Sequence, residues 1–129
     1  MNHLIGKPFI DGGRGPEGYD CYGVLRAVYS EHGVELPEIN VSVYAAKLAQ
    51  GVIDLEAASR WEKIDSPEVP CAVLMRGSQG FADHIGVWIG GGKIIHTQIN
   101  QGVIVQRRHD LKNRIKGFYR YVGNDHIYA

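Results

Sequence analysis

The apolar pattern of this chain changes period once, around residues 66–70, and that change constrains the fold more than any other feature. On the N-terminal side Cys21, Val24, Leu25, Val28 and Tyr29 recur at i, i+3, i+4, i+7 and i+8, one face of an α-helix. Asp20 suits the N-cap, because its carboxylate can accept from the free N–H groups of the first turn. Gly33 ends the helix without steric cost. Ser42 is placed to cap a second helix carrying Val43, Ala46 and Leu48 and ending at Gly51, and residues 54–60 fit a third, weaker one. Ser66, Pro67 and Pro70 then break the chain. Beyond them the period is two, with strands expected over 71–75, 84–89, 93–97, 103–106 and 118–122. Gly90, Gly91 and Gly92 turn the chain between the second and third of these, and a short helical turn is expected over 109–116. Helices followed by an antiparallel meander specify an α+β domain, with N-terminal helices packed on a central antiparallel β-sheet. The 129 residues read as one such domain, 1–129, large enough to bury a core without staples.

Cys21 falls at the first position of the first helix. A free cysteine on an apolar stripe is ordinarily a core residue. This one has a cap residue beside it and a loop rich in glycine before it, with Gly6, Gly12, Gly13, Gly15 and Gly18 among Pro8 and Pro16. Such a loop lets backbone approach a neighbour closely. It is no phosphate loop, since no Gly-Lys-Ser/Thr closes it. The free N–H groups and the dipole of a helix N-terminus favour an anion, so the Cys21 thiolate is expected to form easily. Cys71 opens an apolar strand with Val73 and Met75 on its own face and is expected to be inert.

The glycine turn fixes a second geometry. If three glycines form the loop, Ile89 pairs with Lys93 and Gly86 lies opposite His96. His84 and His96 then stand on one face as diagonal neighbours, with Gly86 keeping that face open and Ile85, Val87, Ile89 and Ile95 packing on the other. Two such histidines supply a base and a group to orient it, which is what an activated nucleophile needs. His3, His32, His109 and His126 are given no chemistry.

Fourteen basic residues balance fourteen acidic ones, so no charge field points to nucleic acid or a membrane surface as partner. No stretch approaches the ~18 apolar residues of a membrane span. Residues 1–10 lack the apolar core of a signal peptide, so cytoplasmic synthesis without a leader is expected. Cys21 and Cys71 make neither a disulfide framework nor a metal motif. No metal or cofactor is expected; a zinc site from Cys21, His84 and His96 with an open position is the alternative.

Taken in order, these segments resemble the NlpC/P60 cysteine peptidases, papain-like enzymes that cut peptidoglycan stem peptides. Gly6-Lys-Pro-Phe-Ile-Asp-Gly-Gly leads to Gly18-Tyr-Asp-Cys-Tyr-Gly as the family's Gly-Gly loop leads to its Asp-Cys-Ser-Gly motif. His84-Ile-Gly-Val-Trp-Ile-Gly resembles the family's His-Val-Gly-Ile-Tyr-Leu-Gly strand, and Ile94, Ile95 and His96 resemble the strand that bears its third catalytic residue. The resemblance implies a papain-like fold in which Cys21 is the nucleophile, His84 the base and His96 the group that orients it. The implied bond is an amide next to D-glutamate, such as D-glutamyl to diaminopimelate, with the Cys21 N–H helping the oxyanion. Asp20 and residue 22 stand where some members read the substrate's free amine, and Tyr22 replaces the family's Ser there. Phe9 replaces a Tyr whose hydroxyl sits near the nucleophile, with Asp11 or Tyr19 as substitutes here. The Asp-Gly-Gly approach, Leu36-Pro37 and Gly117-Phe-Tyr-Arg look most like the branch found in phage and prophage tail genes. That branch implies other tail proteins as partners and a place in a virion tail or tail-like particle, and 129 residues are expected to leave no room for an accessory wall-binding domain. Two further readings stay open: a tail-assembly module that keeps the fold without activity, and an amidase or acyltransferase using the same three residues.

Overall fold

The computed structural model describes residues 2–37, 61–76 and 84–123. Among these residues the elements run α1 (Cys21–Glu31), β1 (Trp61–Ile64), β2 (Cys71–Met75), β3 (His84–Gly90), β4 (Lys93–Gln98), β5 (Gly102–Arg107), α2 (Arg108–Leu111) and β6 (Ile115–Tyr121). The strands form one antiparallel sheet in the order β1-β6-β2-β3-β4-β5. The class is α+β, a helix laid on an antiparallel sheet. The second and third helices expected from the sequence, at 42–51 and 54–60, lie outside the described residues.

Helix α1 begins as its sequence dictates. Asp20 Oδ1 accepts from the Gly23 N–H at 2.8 Å and caps the first turn. The helix buries Cys21, Tyr22, Val24, Leu25, Val28 and Tyr29. These pack with Ala72, Leu74, Ile85, Val87, Ile95 and Val103 on one face of the sheet. Burying each large aliphatic side chain contributes about 1.5–3 kcal/mol before entropy is charged against it. Gly23 belongs in the first turn because a Cβ there would stand 2.3 Å from the Gly13 carbonyl oxygen. The bare backbone lets the approach loop press on the helix start, where the Gly13 carbonyl accepts from the Asp20 N–H at 3.0 Å.

The other face carries a second cluster of Cys71, Val73, Met75, Ile94 and Phe118, covered by Leu111 of α2. Cys71 is fully buried among these side chains.

Strand β1 has no counterpart in the sequence reading. Its four residues, Trp-Glu-Lys-Ile, are too few to show a period. Pairing makes it a strand: Trp61 faces Tyr121 and Ile64 faces Phe118 on β6. Its Trp61 ring meets Tyr29 at 5.8 Å and Tyr121 at 5.1 Å, edge to face. Strand β6 starts three residues before the expected 118, because Ile115 and Gly117 find partners in Met75 and Leu74. The helical turn before it is correspondingly shorter, Arg108–Leu111.

The β3–β4 turn also differs in detail. Gly90 pairs with Lys93, so the loop is Gly91-Gly92, two residues at φ +63° and +74°. The register shifts between Trp88 and Gly90, and Ile89 does not pair with Lys93 as a three-glycine loop would require. Past the irregularity Val87 faces Ile95, which leaves Gly86 across from His96 as expected.

Candidate active site

Strand alternation puts His84 on the face of its β2 partner Met75, and His96 on the face of Ile94. The two rings meet there. His84 Nε2 lies 2.8 Å from His96 Nδ1, the rings edge to face with centroids 5.0 Å apart. On its far side His96 Nε2 lies 2.7 Å from Gln106 Oε1. His84 is half-buried, but at His96 the face is closed, contrary to the sequence expectation. His96 is 0% exposed, and a Cβ on Gly86 would fall 2.7 Å from Ile94 and 2.8 Å from Met75. The absent side chain makes room for those two rather than for solvent.

Cys21 approaches from the helix side. Its thiol is buried, with the backbone N–H groups of Ile85 and Tyr22 beside it. Ile85 directly follows His84, so the thiol lies one residue along β3 from the paired histidines. Among the described residues no hydrogen bond joins Cys21 to His84 or His96; the structure joins the two rings and sets the thiol against the adjoining backbone.

Electrostatics correct one expectation outright. Burial pushes the Cys21 thiol up to about 12, and the Asp20 carboxylate adds to the rise. The Ile85 and Tyr22 N–H groups and Arg14 oppose this and do not overcome it. The helix N-terminus therefore does not yield a ready-made thiolate, because desolvation of the anion outweighs the dipole. Burial, then His96 and Arg114, pushes His84 down to about 3. Burial also lowers His96, with Gln106 opposing and Arg114 assisting. At rest the thiol and both imidazoles are neutral.

A raised thiol value leaves little thiolate at neutral pH and more as the pH rises. Alkylation of Cys21 by iodoacetamide is expected to accelerate by about tenfold per unit between about pH 6 and about pH 9. Peptide mapping of the labelled protein checks this. A rate already level across neutral pH would mean that the thiolate is preformed.

The remaining sequence candidates take other places. Asp20 is buried and occupied: Oδ1 accepts from Arg14 Nη1 at 2.7 Å and from Gly23 N, and Oδ2 accepts from Gly12 N at 3.2 Å. A carboxylate so engaged caps the helix and holds the approach loop. The Tyr22 phenol donates to the Pro37 carbonyl, and its ring lies under the Arg14 guanidinium at 5.2 Å. Tyr19 is buried with its phenol against Gly15. Phe9 is half-buried and bridges to Tyr19 through the backbone, and Asp11 is exposed. Among the described residues no hydrogen bond joins Tyr19 or Asp11 to Cys21. Among the described residues no three His, Cys, Asp or Glu side chains converge on a point that would hold a metal ion.

Gln106 was not singled out in the sequence, although a signal was there. It ends the apolar run Val103-Ile-Val on β5, and Ile104 pairs with His96. A polar residue two positions along that face is a diagonal neighbour of the histidine.

Known proteins share this arrangement of elements. The sequence model of the NlpC/P60 family matches residues 6–120. The chain is 30% identical over 107 residues to a probable endopeptidase p60 of Listeria grayi, covering 81% of this chain and 18% of that protein. It is 30% identical over 101 residues to the murein DD-endopeptidase MepH of Escherichia coli, covering 75% and 34%. The crystal structure of the NlpC/p60 domain of the peptidoglycan hydrolase SagA superposes with a TM-score of 0.58 at 25% identity, over 91% of this chain and 89% of that one. An NlpC/P60 family protein from Bacillus cereus superposes with a TM-score of 0.63 at 19% identity, over 92% and 37%. The chain thus spans less than two thirds of these curated relatives.

Proposed function

Because this chain belongs to the NlpC/P60 family and has its papain-like α+β fold, we propose that it is a cysteine peptidase that hydrolyses an amide bond in the stem peptides of peptidoglycan. The observation that carries the reading is the hydrogen bond between His84 Nε2 and His96 Nδ1, with the Cys21 thiol set against the backbone N–H of Ile85, the residue after His84. His84 commits Nε2 to His96, which leaves Nδ1 to take the thiol proton. The Cys21 sulfur attacks the amide carbonyl carbon as its proton passes to His84. The C–N bond breaks, His84 returns the proton to the leaving amine, and a thioester remains on Cys21. Water then attacks the thioester, giving a proton to His84; the C–S bond breaks, the carboxylic acid leaves and His84 returns the proton to the Cys21 sulfur. The neutral resting pair makes this general-base catalysis of thiol attack.

The bond proposed is D-glutamyl to diaminopimelate. The murein DD-endopeptidase among the relatives keeps a crosslink bond as the second reading. Digestion of purified peptidoglycan followed by mass spectrometry of the products tests both. New fragments that begin at diaminopimelate are expected. Cleavage only at crosslinks would move the bond, and disaccharides freed of whole stems would make the protein an amidase. Our proposal extends to the setting: the Asp-Gly-Gly approach and the Gly117-Phe-Tyr-Arg ending support a phage or prophage tail protein, acting beside other tail components.

A further inference from the structure

We propose that Gln106 is a positioning residue that fixes the tautomers of both histidines, so that the His84 nitrogen left for the thiol carries a lone pair; this inference rests on the peptidase reading. It begins from one atom. Gln106 Oε1 is a carbonyl oxygen and can only accept, so the His96 Nε2 that lies 2.7 Å away must carry a hydrogen. His96 is wholly buried and held neutral, so its Nδ1 has a lone pair and no hydrogen. That Nδ1 lies 2.8 Å from His84 Nε2, which must therefore be the donor. His84 is neutral as well, and its remaining nitrogen, Nδ1, is left as an acceptor. The amide at the far end thus sets the direction of every hydrogen bond in the row.

Reversing that end reverses the row. A donor at position 106 would leave His96 Nε2 as acceptor and put the hydrogen on His96 Nδ1. His84 Nε2 would then have to accept, and its own hydrogen would move to Nδ1, where it blocks uptake of the thiol proton. The backbone fixes where Gln106 stands. Strand β5 pairs with β4 from Lys93↔Arg107 to Gln98↔Gly102, with His96 facing Ile104 and Ile94 facing Gln106. Arg114, the charged group that bears on both histidines, favours their neutral forms and selects no tautomer.

The test is nitrogen-15 NMR of the imidazole rings in the whole protein without substrate, near neutral pH, for wild type, Gln106→Met and Gln106→Glu. Wild type is expected to show His84 and His96 both protonated at Nε2. Gln106→Met, close in shape and without the acceptor, is expected to show mixed tautomers at His96. It should also lose roughly tenfold or more in kcat with KM unchanged, the scale seen when the outer partner of a functional histidine is removed. Gln106→Glu keeps an acceptor and should restore both the tautomers and the turnover. A wild-type His96 protonated at Nδ1, or wild-type tautomers retained in Gln106→Met, would overturn the proposal. The ring spectra need no substrate, so the expected tautomers without any hydrolysis would uphold the role of Gln106 and sink the peptidase reading instead.

Discussion

His84→Ala is expected to lower kcat/KM on a stem-peptide substrate by about 10³- to 10⁴-fold, close to the loss in Cys21→Ala. The size follows from the resting state. With the thiol pushed up to about 12, thiolate is scarce at neutral pH, so nearly every turnover must move the thiol proton to a base. In the proposed mechanism His84 is that base and later protonates the leaving amine, so one substitution removes two proton transfers. His96→Ala should cost less, roughly 10- to 100-fold, because His96 holds the ring and tautomer without moving the proton itself. His96 is also fully buried, so its truncation carries a stability cost of about 1–3 kcal/mol, and rates must be compared on variants shown to be folded. Steady-state kinetics on a defined stem peptide decide the order. If His96→Ala were as inactive as Cys21→Ala while His84→Ala kept turnover, the two roles would be exchanged.

The largest loss of stability is expected at Asp20, away from the proton row. Its carboxylate accepts from Gly23 at the helix start, from Gly12 in the approach loop and from the Arg14 guanidinium. The two charged side chains are only 19% and 7% exposed, so neither is well hydrated. Asp20→Ala removes the cap, the Gly12 contact and the carboxylate of a partly buried ion pair. Together these losses cost about 2–4 kcal/mol. Asp20→Asn keeps an acceptor for the cap, worth about 1 kcal/mol, and should fall between the alanine variant and wild type. Urea denaturation measures both. A loss below about 1 kcal/mol in Asp20→Ala would mean that the carboxylate is not the hub of the loop, and would return it to the list of groups free to meet substrate.

Where a residue's role depends on its own segment, the sequence carried it. The cap at Asp20, the stripe from Cys21 to Tyr29 and the alternation through β3 and β4 all follow from local pattern, and His84 and His96 came together from strand parity alone. What the sequence hid depends on neighbours far along the chain. Four residues of β1 become a strand only against β6. Gly117 lies outside the strand expected over 118–122, and pairing with Leu74 brings it in. The same holds for the chemistry. Helix position argued for a thiolate at Cys21, but burial decides the outcome, and burial is set by packing across the domain. The resemblance set Asp20 among groups that meet substrate, and only the folded loop brings Arg14 and Gly12 to its carboxylate. Gln106 showed its polarity at a diagonal site, but its partner atom on His96 needed coordinates.

The central claim is that Cys21 forms a covalent bond to the acyl half of a stem peptide. It is tested most directly by mixing the protein with excess stem peptide, quenching in acid within the first turnovers, and mapping the modified residue by mass spectrometry. The account predicts a thioester on Cys21 carrying the peptide that ends in D-glutamate, absent in Cys21→Ala and lost on treatment with hydroxylamine. Hydrolysis that proceeds equally well in Cys21→Ala, or an acyl group found on another residue, would contradict it.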